Sequence, residues 1–293
     1  MGNNIQINRK GNKNICKEHH FLVNNHEDLI YFTFPKLERT GIVKQCFSSR
    51  FGGVSKAHLG TMNLSYTRGD RKECVDENYR RIAQVMEFKV EDMVCSDQTH
   101  TTNVRKVTVQ DKGKGIVKPR DYKDVDGLIT DEPGVVLATF YADCVPLYMV
   151  DPVHRAIGLS HSGWRGTVNR MGAVTLQNMQ KEYGTRPEDV FVAIGPSICQ
   201  DCYEVSMDVA EAFKEAFPKQ KGDKRLLYQK NDEKFQLNLW YANECVFLEA
   251  GVPKEHIEIT DICTCCNPEI LFSHRASKGM RGNLGAFLML KDK

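Results

Sequence analysis

Two apolar runs, residues 135–140 and 145–150, flank the tripeptide Ala142-Asp143-Cys144. They limit the fold more than any other feature, because nearly every position in them is apolar. A strand with one wet face alternates between apolar and polar residues, whereas a strand buried on both faces does not. Both runs therefore predict central strands of a layered protein, with a carboxylate and a thiol set between them. Burying a carboxylate without a partner costs several kcal/mol, so Asp143 demands a specific contact. A kink between strands with a core cysteine would account for Cys144 but not for Asp143.

The rest of the chain supplies layers for those strands. Further strands are predicted at residues 30–34, 42–47, 156–159, 190–194 and 284–290. Helices are predicted at 73–88, at 167–183 (ended by Gly184 and Pro187), from a cap at Ser206 to Pro218, and at 239–250. Strand pairs occur alongside strand–helix alternation, and no repeat or low-complexity linker divides the chain. The expected architecture is α+β, a single-domain layered sandwich with mixed β-sheets flanked by helices. Residues 1–25, rich in Asn, Lys and His, read as a polar N-terminal tail or peripheral strand, and 26–293 as the catalytic domain.

A chain of 293 residues buries roughly three quarters of its unfolded surface, enough for a large core without disulfides. Its 41% hydrophobic and 27% charged residues exclude bulk disorder. A net charge of +2 gives no reason to expect a nucleic-acid partner. No apolar run approaches the roughly 20 residues of a membrane span, so no membrane partner is expected either. The N-terminal stretch lacks the apolar core of a secretion signal. The expected location is cytoplasmic, where the eleven cysteines stay reduced and are mostly buried small hydrophobes.

Four polar segments sit where packing explains little. Residues 48–55, Ser-Ser-Arg-Phe-Gly-Gly-Val-Ser, leave a strand through a Gly-Gly loop, where backbone N–H groups and Arg50 could converge on an anion. A glycine turn with a surface arginine is the plainer reading of that loop. Asp97-Gln98-Thr99-His100 and Tyr141-Ala142-Asp143-Cys144 each adjoin a predicted strand. Ser160-His161-Ser162-Gly163-Trp164-Arg165-Gly166-Thr167 runs from a strand into a helix start, a favourable place for anions.

His100, Cys144 and His161 form a three-ligand zinc set with an open fourth position, the arrangement of catalytic zinc. Their separations of 44 and 17 residues fit a metal-free Cys–His nucleophile pair equally well. Cys199, Cys202, Cys263, Cys265 and Cys266 offer a rival site. Cys-x2-Cys followed by a Cys-rich loop can hold structural zinc, but Cys-Thr-Cys-Cys departs from the usual spacing, and buried free thiols are the preferred reading. His256-Ile257-Glu258 matches the H-x-E of zinc deaminases, yet those place P-C-x-x-C after the H-x-E, whereas Cys199-x2-Cys202 precedes it, and that fold is rejected.

Taken together, the segments resemble the laccase-domain family, known as multicopper polyphenol oxidases and as purine nucleoside phosphorylases. The resemblance is carried by residues 48–55, Met62-Asn63-Leu64, Asp76-Glu77-Asn78-Tyr79-Arg80-Arg81, Gln98-Thr99-His100, Val125-Asp126-Gly127, Ala142-Asp143-Cys144-Val145-Pro146 and His161-Ser162-Gly163-Trp164-Arg165-Gly166. It continues through Ile194-Gly195-Pro196, Cys202-Tyr203-Glu204-Val205, Asp261-Ile262-Cys263-Thr264 and Phe272-Ser273-His274-Arg275, covering residue 28 to the end. Two departures, Thr101 after His100 and Ala276 after Arg275, bear on substrate preference.

The resemblance implies a zinc-associated site at His100, Cys144 and His161. It also implies phosphorolysis of adenosine, inosine, guanosine and methylthioadenosine, with deamination of adenosine. Small-molecule nucleoside and phosphate are then the partners. Arg50, Arg165 and Asn63 are the phosphate or substrate candidates, and Asp143 a proton shuttle or a carboxylate orienting a ligand histidine. Laccase copper centres need many histidines, commonly in H-x-H pairs. This chain has nine, none so spaced, although copper in place of zinc suits an N/S site. Other classes left open are a metal-free Cys–His hydrolase, a copper-dependent oxidase and a non-enzymatic accessory protein.

Overall fold

A computed structural model describes residues 5–10 and 20–292. In chain order its strands are β1 (Leu22–His26), β2 (Leu29–Thr33), β3 (Val43–Ser48), β4 (Met93–Cys95), β5 (Val104–Lys106), β6 (Gly127–Thr130), β7 (Val136–Tyr141) and β8 (Val145–Asp151). They continue as β9 (Ala156–Ser162), β10 (Phe191–Ile194), β11 (Glu204–Ser206), β12 (Leu227–Gln229), β13 (Lys234–Leu237), β14 (Ile257–Ile259) and β15 (Leu284–Leu290). The helices are α1 (Pro35–Glu38), α2 (Lys72–Met86), α3 (Trp164–Val168), α4 (Met171–Tyr183), α5 (Met207–Ala216) and α6 (Leu239–Glu249).

Two six-stranded mixed sheets stack face to face. The first has the order β1-β2-β3-β15-β7-β4 and the second β14-β10-β8-β9-β6-β5, while β11-β13-β12 forms a small antiparallel sheet. The strand side chains show why the apolar runs do not alternate. From β7, Leu137 and Tyr141 face the second sheet, while Val136 and Ala138 face α2 on the outside. From β8, Tyr148 and Val150 face the first sheet, while Val145, Leu147 and Met149 face the core built with α4, α5 and α6. Both strands are thus inner layers of a helix–sheet–sheet–helix stack, the layered sandwich that the sequence predicts.

Helix α2 covers the outer face of the first sheet with Val75, Tyr79, Ile82 and Met86, spaced at helical period. The single helix expected at 167–183 is instead two, α3 and α4, separated at Asn169 and Arg170. Local chemistry breaks it. The Asn169 amide bonds back to the Arg165 carbonyl at 2.9 Å, and Arg170 takes a left-handed conformation at φ +61°. The break re-aims α4 so that Thr175 and Met179 lie on Gly158 of β9. Ser206 precedes α5 as expected, but its hydroxyl bonds the Asp208 carboxylate instead of a backbone N–H.

Of the expected polar tail, residues 1–4 and 11–19 lie outside the described chain. Leu22–His26 is the edge strand of the first sheet. Asn8 exchanges two hydrogen bonds with the Asn267 side chain, so residues near it lie against the 263–267 loop.

The two connections that matter most run between sheets. β4 and β7 are parallel neighbours in the first sheet. The chain leaving β4 passes through Gln98-Thr99-His100 to β5 of the second sheet. The chain leaving β7 passes through Ala142-Asp143-Cys144 to β8 of the second sheet. Both crossings therefore lie at one end of the sandwich, and β9, antiparallel to β8, ends there with His161 paired to Pro146.

Candidate active site

The crossings bring the three predicted ligands together. One donor atom from each of His100, Cys144 and His161 lies within 4.8 Å of the others. Cys144 Sγ is 3.9 Å from His100 Nε2, and the imidazole rings stand edge to face at 5.0 Å. His161 is buried, Cys144 half-buried and His100 exposed toward a pocket. Gly163 makes room: a Cβ there would stand 2.8 Å from the His100 ring and 3.2 Å from Cys144 Sγ.

Asp126 organises this cluster from beneath. Fully buried, it accepts from His161 Nδ1 at 2.7 Å and from the backbone N–H groups of Thr99, His100 and Thr101 at 2.8–3.2 Å. The same carboxylate thus shapes the loop that carries His100 and fixes the His161 ring, turning its Nε2 toward Cys144. Burial opposes the charge of Asp126, but His161 and the loop amides outweigh it and hold the carboxyl below its usual range. Burial also opposes ionisation of Cys144, yet His161 and His100 hold the thiol down to about 6. The complementary effect of Cys144 and Asp126 lifts His161 to about 9 against its own burial. A sulfur so readily ionised is equipped to bind metal or to attack an electrophile.

The donors fit a zinc ion. Two imidazole nitrogens and a thiolate within 4.8 Å, a histidine oriented by a buried carboxylate and a cradle kept open by glycine match a three-ligand site with a free position.

The cluster forms the floor of an open cavity of about 450 Å³, within the range of small-molecule sites. Tyr66 and Phe140 supply aromatic wall, and Arg68 and Arg281 line the same cavity. Burial and the adjacent Arg68 cation press the Arg281 guanidinium down to about 10. Two arginines gathered beside one another create a place where an anion relieves repulsion.

Other residues singled out from sequence are placed differently. Arg50 donates to the Gly60 and Pro268 carbonyls at 2.9 and 2.6 Å and lies over the Phe272 ring. The loop N–H groups of Phe51, Gly53 and Val54 are bonded to Ser49, Thr61 and Asn78 side chains. At Gly53 a Cβ would meet the Thr61 carbonyl at 2.2 Å, so the glycine serves packing. Asn63 is fully buried, donating to Ser65 and Asp70 and accepting from Ser65 and Asn283. Arg165 is exposed over the Trp164 ring. None of these three residues lines the cavity. Asp143 turns from the histidines to accept from Thr264 Oγ1 at 2.6 Å and Arg275 N at 2.7 Å. The carboxylate that holds a histidine of the cluster is Asp126. In the sequence Val125-Asp126-Gly127 carries only the family resemblance, although a charge beside the apolar strand at 127–130 is the same signal that singles out Asp143. Arg68 and Arg281, in polar loops, carried no such signal.

The model of the family described as multi-copper polyphenol oxidoreductase laccase matches residues 44–291. The chain belongs to this family. Among relatives of this laccase-like family, a protein of Geobacillus stearothermophilus named purine nucleoside phosphorylase YlmD is 36% identical over 251 residues, covering 84% of this chain and 89% of that one. A purine nucleoside phosphorylase of Bacteroides thetaiotaomicron is 36% identical over 247 residues, covering 83% and 89%. The crystal structure of YlmD from Geobacillus stearothermophilus superposes with a TM-score of 0.84 at 33% identity, over 94% of this chain and all of that one. The two groups of three or more metal-binding side chains among the described residues contain only two histidines between them.

Proposed function

We propose that the chain is a purine nucleoside phosphorylase acting on adenosine, inosine, guanosine and methylthioadenosine. One observation carries the reading: a single open cavity presents the His100–Cys144–His161 cluster, aromatic walls and the Arg68–Arg281 pair. The relatives' names support the reaction class. In this reading the arginine pair binds and orients phosphate, the role that sequence alone gave to Arg50 and Arg165. Tyr66 and Phe140 flank the purine. A phosphate oxygen bonds to the anomeric carbon while the carbon–nitrogen bond breaks, and the base leaves with the electron pair and takes up a proton. Asp126 keeps His161 and the 99–101 loop in place throughout. Zinc held by His100, Cys144 and His161, with copper as an alternative ion, would supply a Lewis acid and lower the pKa of bound water toward 7.

His100 faces the open cavity, so water reaches the cluster, which supports adenosine deamination as a second activity of the same site. Incubation with adenosine, with and without phosphate, tests both. Adenine formed only with phosphate supports phosphorolysis, and inosine formed without it supports deamination. The absence of both products from the metal-loaded protein overturns the reading. Arg281→Ala should raise the KM for phosphate about tenfold to a hundredfold, the loss of a charged hydrogen-bond pair, while sparing deamination.

The Asp126–His161–Cys144 line also has the geometry of a hydrolase triad. That reading requires no metal and no second histidine. Full activity in a His100→Ala variant stripped of metal would favour it.

A further inference from the structure

Four cysteines outside the cavity gather their sulfurs at the same end of the sandwich. Cys199 and Cys202 follow β10, and Cys263 and Cys266 follow β14. Those two strands are parallel neighbours, so their loops leave together, bridged between Ser197 and Cys263. All four Sγ atoms lie within 4.8 Å of one another. Cys202 Sγ is 3.5 Å and Cys199 Sγ 3.9 Å from Cys266 Sγ.

These separations discriminate between chemistries. A disulfide needs about 2.05 Å. Four thiolates bound at about 2.3 Å around one tetrahedral ion stand about 3.8 Å apart. Backbone N–H groups also point at the sulfurs. Those of Cys199 and Cys266 reach Cys263 Sγ at 3.2 and 3.3 Å, and that of Lys10 reaches Cys266 Sγ at 3.3 Å. Such donors stabilise sulfur as thiolate. The residue spacing agrees as well. Cys265 obscures the pattern in Cys-Thr-Cys-Cys, but Cys263 and Cys266 themselves stand as Cys-x2-Cys, matching Cys199 and Cys202.

We propose that Cys199, Cys202, Cys263 and Cys266 bind a structural zinc ion, separate from the His100–Cys144–His161 site. With four protein ligands it has no open position, so it contributes folding energy and not catalysis. Its location gives it a second effect. Thr264, between the ligands Cys263 and Cys266, donates to Asp143, and Ile198, next to Cys199, donates its N–H to the Asp143 carbonyl at 3.0 Å. The ion thereby clamps the two loops that hold the crossing on which Cys144 sits. Buried free thiols, the reading preferred from sequence, leave this four-way convergence unexplained.

Metal analysis of the full chain, purified under reducing conditions, tests the proposal. The wild-type chain should carry one more zinc equivalent than a Cys202→Ser/Cys266→Ser variant. A His100→Ala/His161→Ala variant, which keeps all four cysteines, provides a measurement independent of how the cysteine variant folds. Loaded with cobalt, it should retain one equivalent and show the sulfur-to-metal charge-transfer and tetrahedral ligand-field bands of four thiolates. Equal zinc in the wild type and the cysteine variant overturns the proposal. So does a cobalt-loaded histidine variant without four-sulfur bands, a disulfide among these cysteines in anaerobically purified protein, or iron as the resident ion.

Discussion

Single residues set the geometry of the site, and Gly163 is the sharpest case. Its backbone, at φ −77° and ψ −174°, suits any residue, so Gly163→Ala should leave the fold intact. The added Cβ, however, would lie 2.8 Å from the His100 ring. We expect a melting temperature within a few degrees of wild type together with loss of most metal from the His100 site, read by calorimetry and metal analysis. Asp126→Asn should act more broadly. Its amide cannot accept from every donor that now meets the carboxylate, and each buried donor left unpaired costs about 1–3 kcal/mol. A weakened hold on His161 should lower metal affinity about 10- to 100-fold, read by competition with a chromogenic chelator. Unchanged affinity would show that His161 keeps its orientation without Asp126.

Secondary elements meet through a buried carboxylate on β14. Glu258 is almost fully enclosed, its Oε2 accepting from the Lys36 N–H of α1 at 3.0 Å and its Oε1 lying 3.9 Å from His20 Nδ1. Burial raises its carboxyl to about 7, against about 4.3 when unfolded. Between those values the native chain holds a proton that the unfolded chain has released. This group's contribution to stability is therefore full below about pH 4.3 and falls as pH rises through 7, by up to about 1.4 kcal/mol per pH unit. Glu258→Gln removes that slope. Urea melts should show the variant gaining on wild type from pH 5 to pH 8. A constant difference across that range would mean that Lys36 and His20 compensate the burial.

At the scale of the molecule, the two sheets are joined by side chains that cross between them. Tyr148 of β8 donates to the Cys46 carbonyl of β3 at 2.8 Å, and Tyr141 of β7 to the Ser160 carbonyl of β9 at 3.0 Å. Tyr148→Phe should cost about 1 kcal/mol, and Tyr148→Ala about 3–5 kcal/mol by opening a cavity between the sheets. Because the sheets share one interior, far- and near-ultraviolet circular dichroism should report one transition in each variant. Two separated transitions would show that the sheets melt independently.

The sequence by itself determined the layers. Uninterrupted apolar runs at 135–140 and 145–150 require burial on both faces, and the helical period from Val75 to Met86 supplies a cover. Those patterns are local, set by how one segment meets its neighbours, and so they can be read along the chain. The polar segments were legible for a related reason: a charge such as Asp143 beside buried strands must have a partner. Only the tertiary structure decided what that partner is, Thr264 and Arg275 in place of a histidine. It also decided that His161 rests on Asp126, that Arg50 and Asn63 spend their hydrogen bonds on the chain, and that Arg68 and Arg281 line one cavity. The four cysteines of two distant loops likewise come together only there. Each of these depends on which strands pair and at which end the chain crosses between sheets, and no local propensity encodes either.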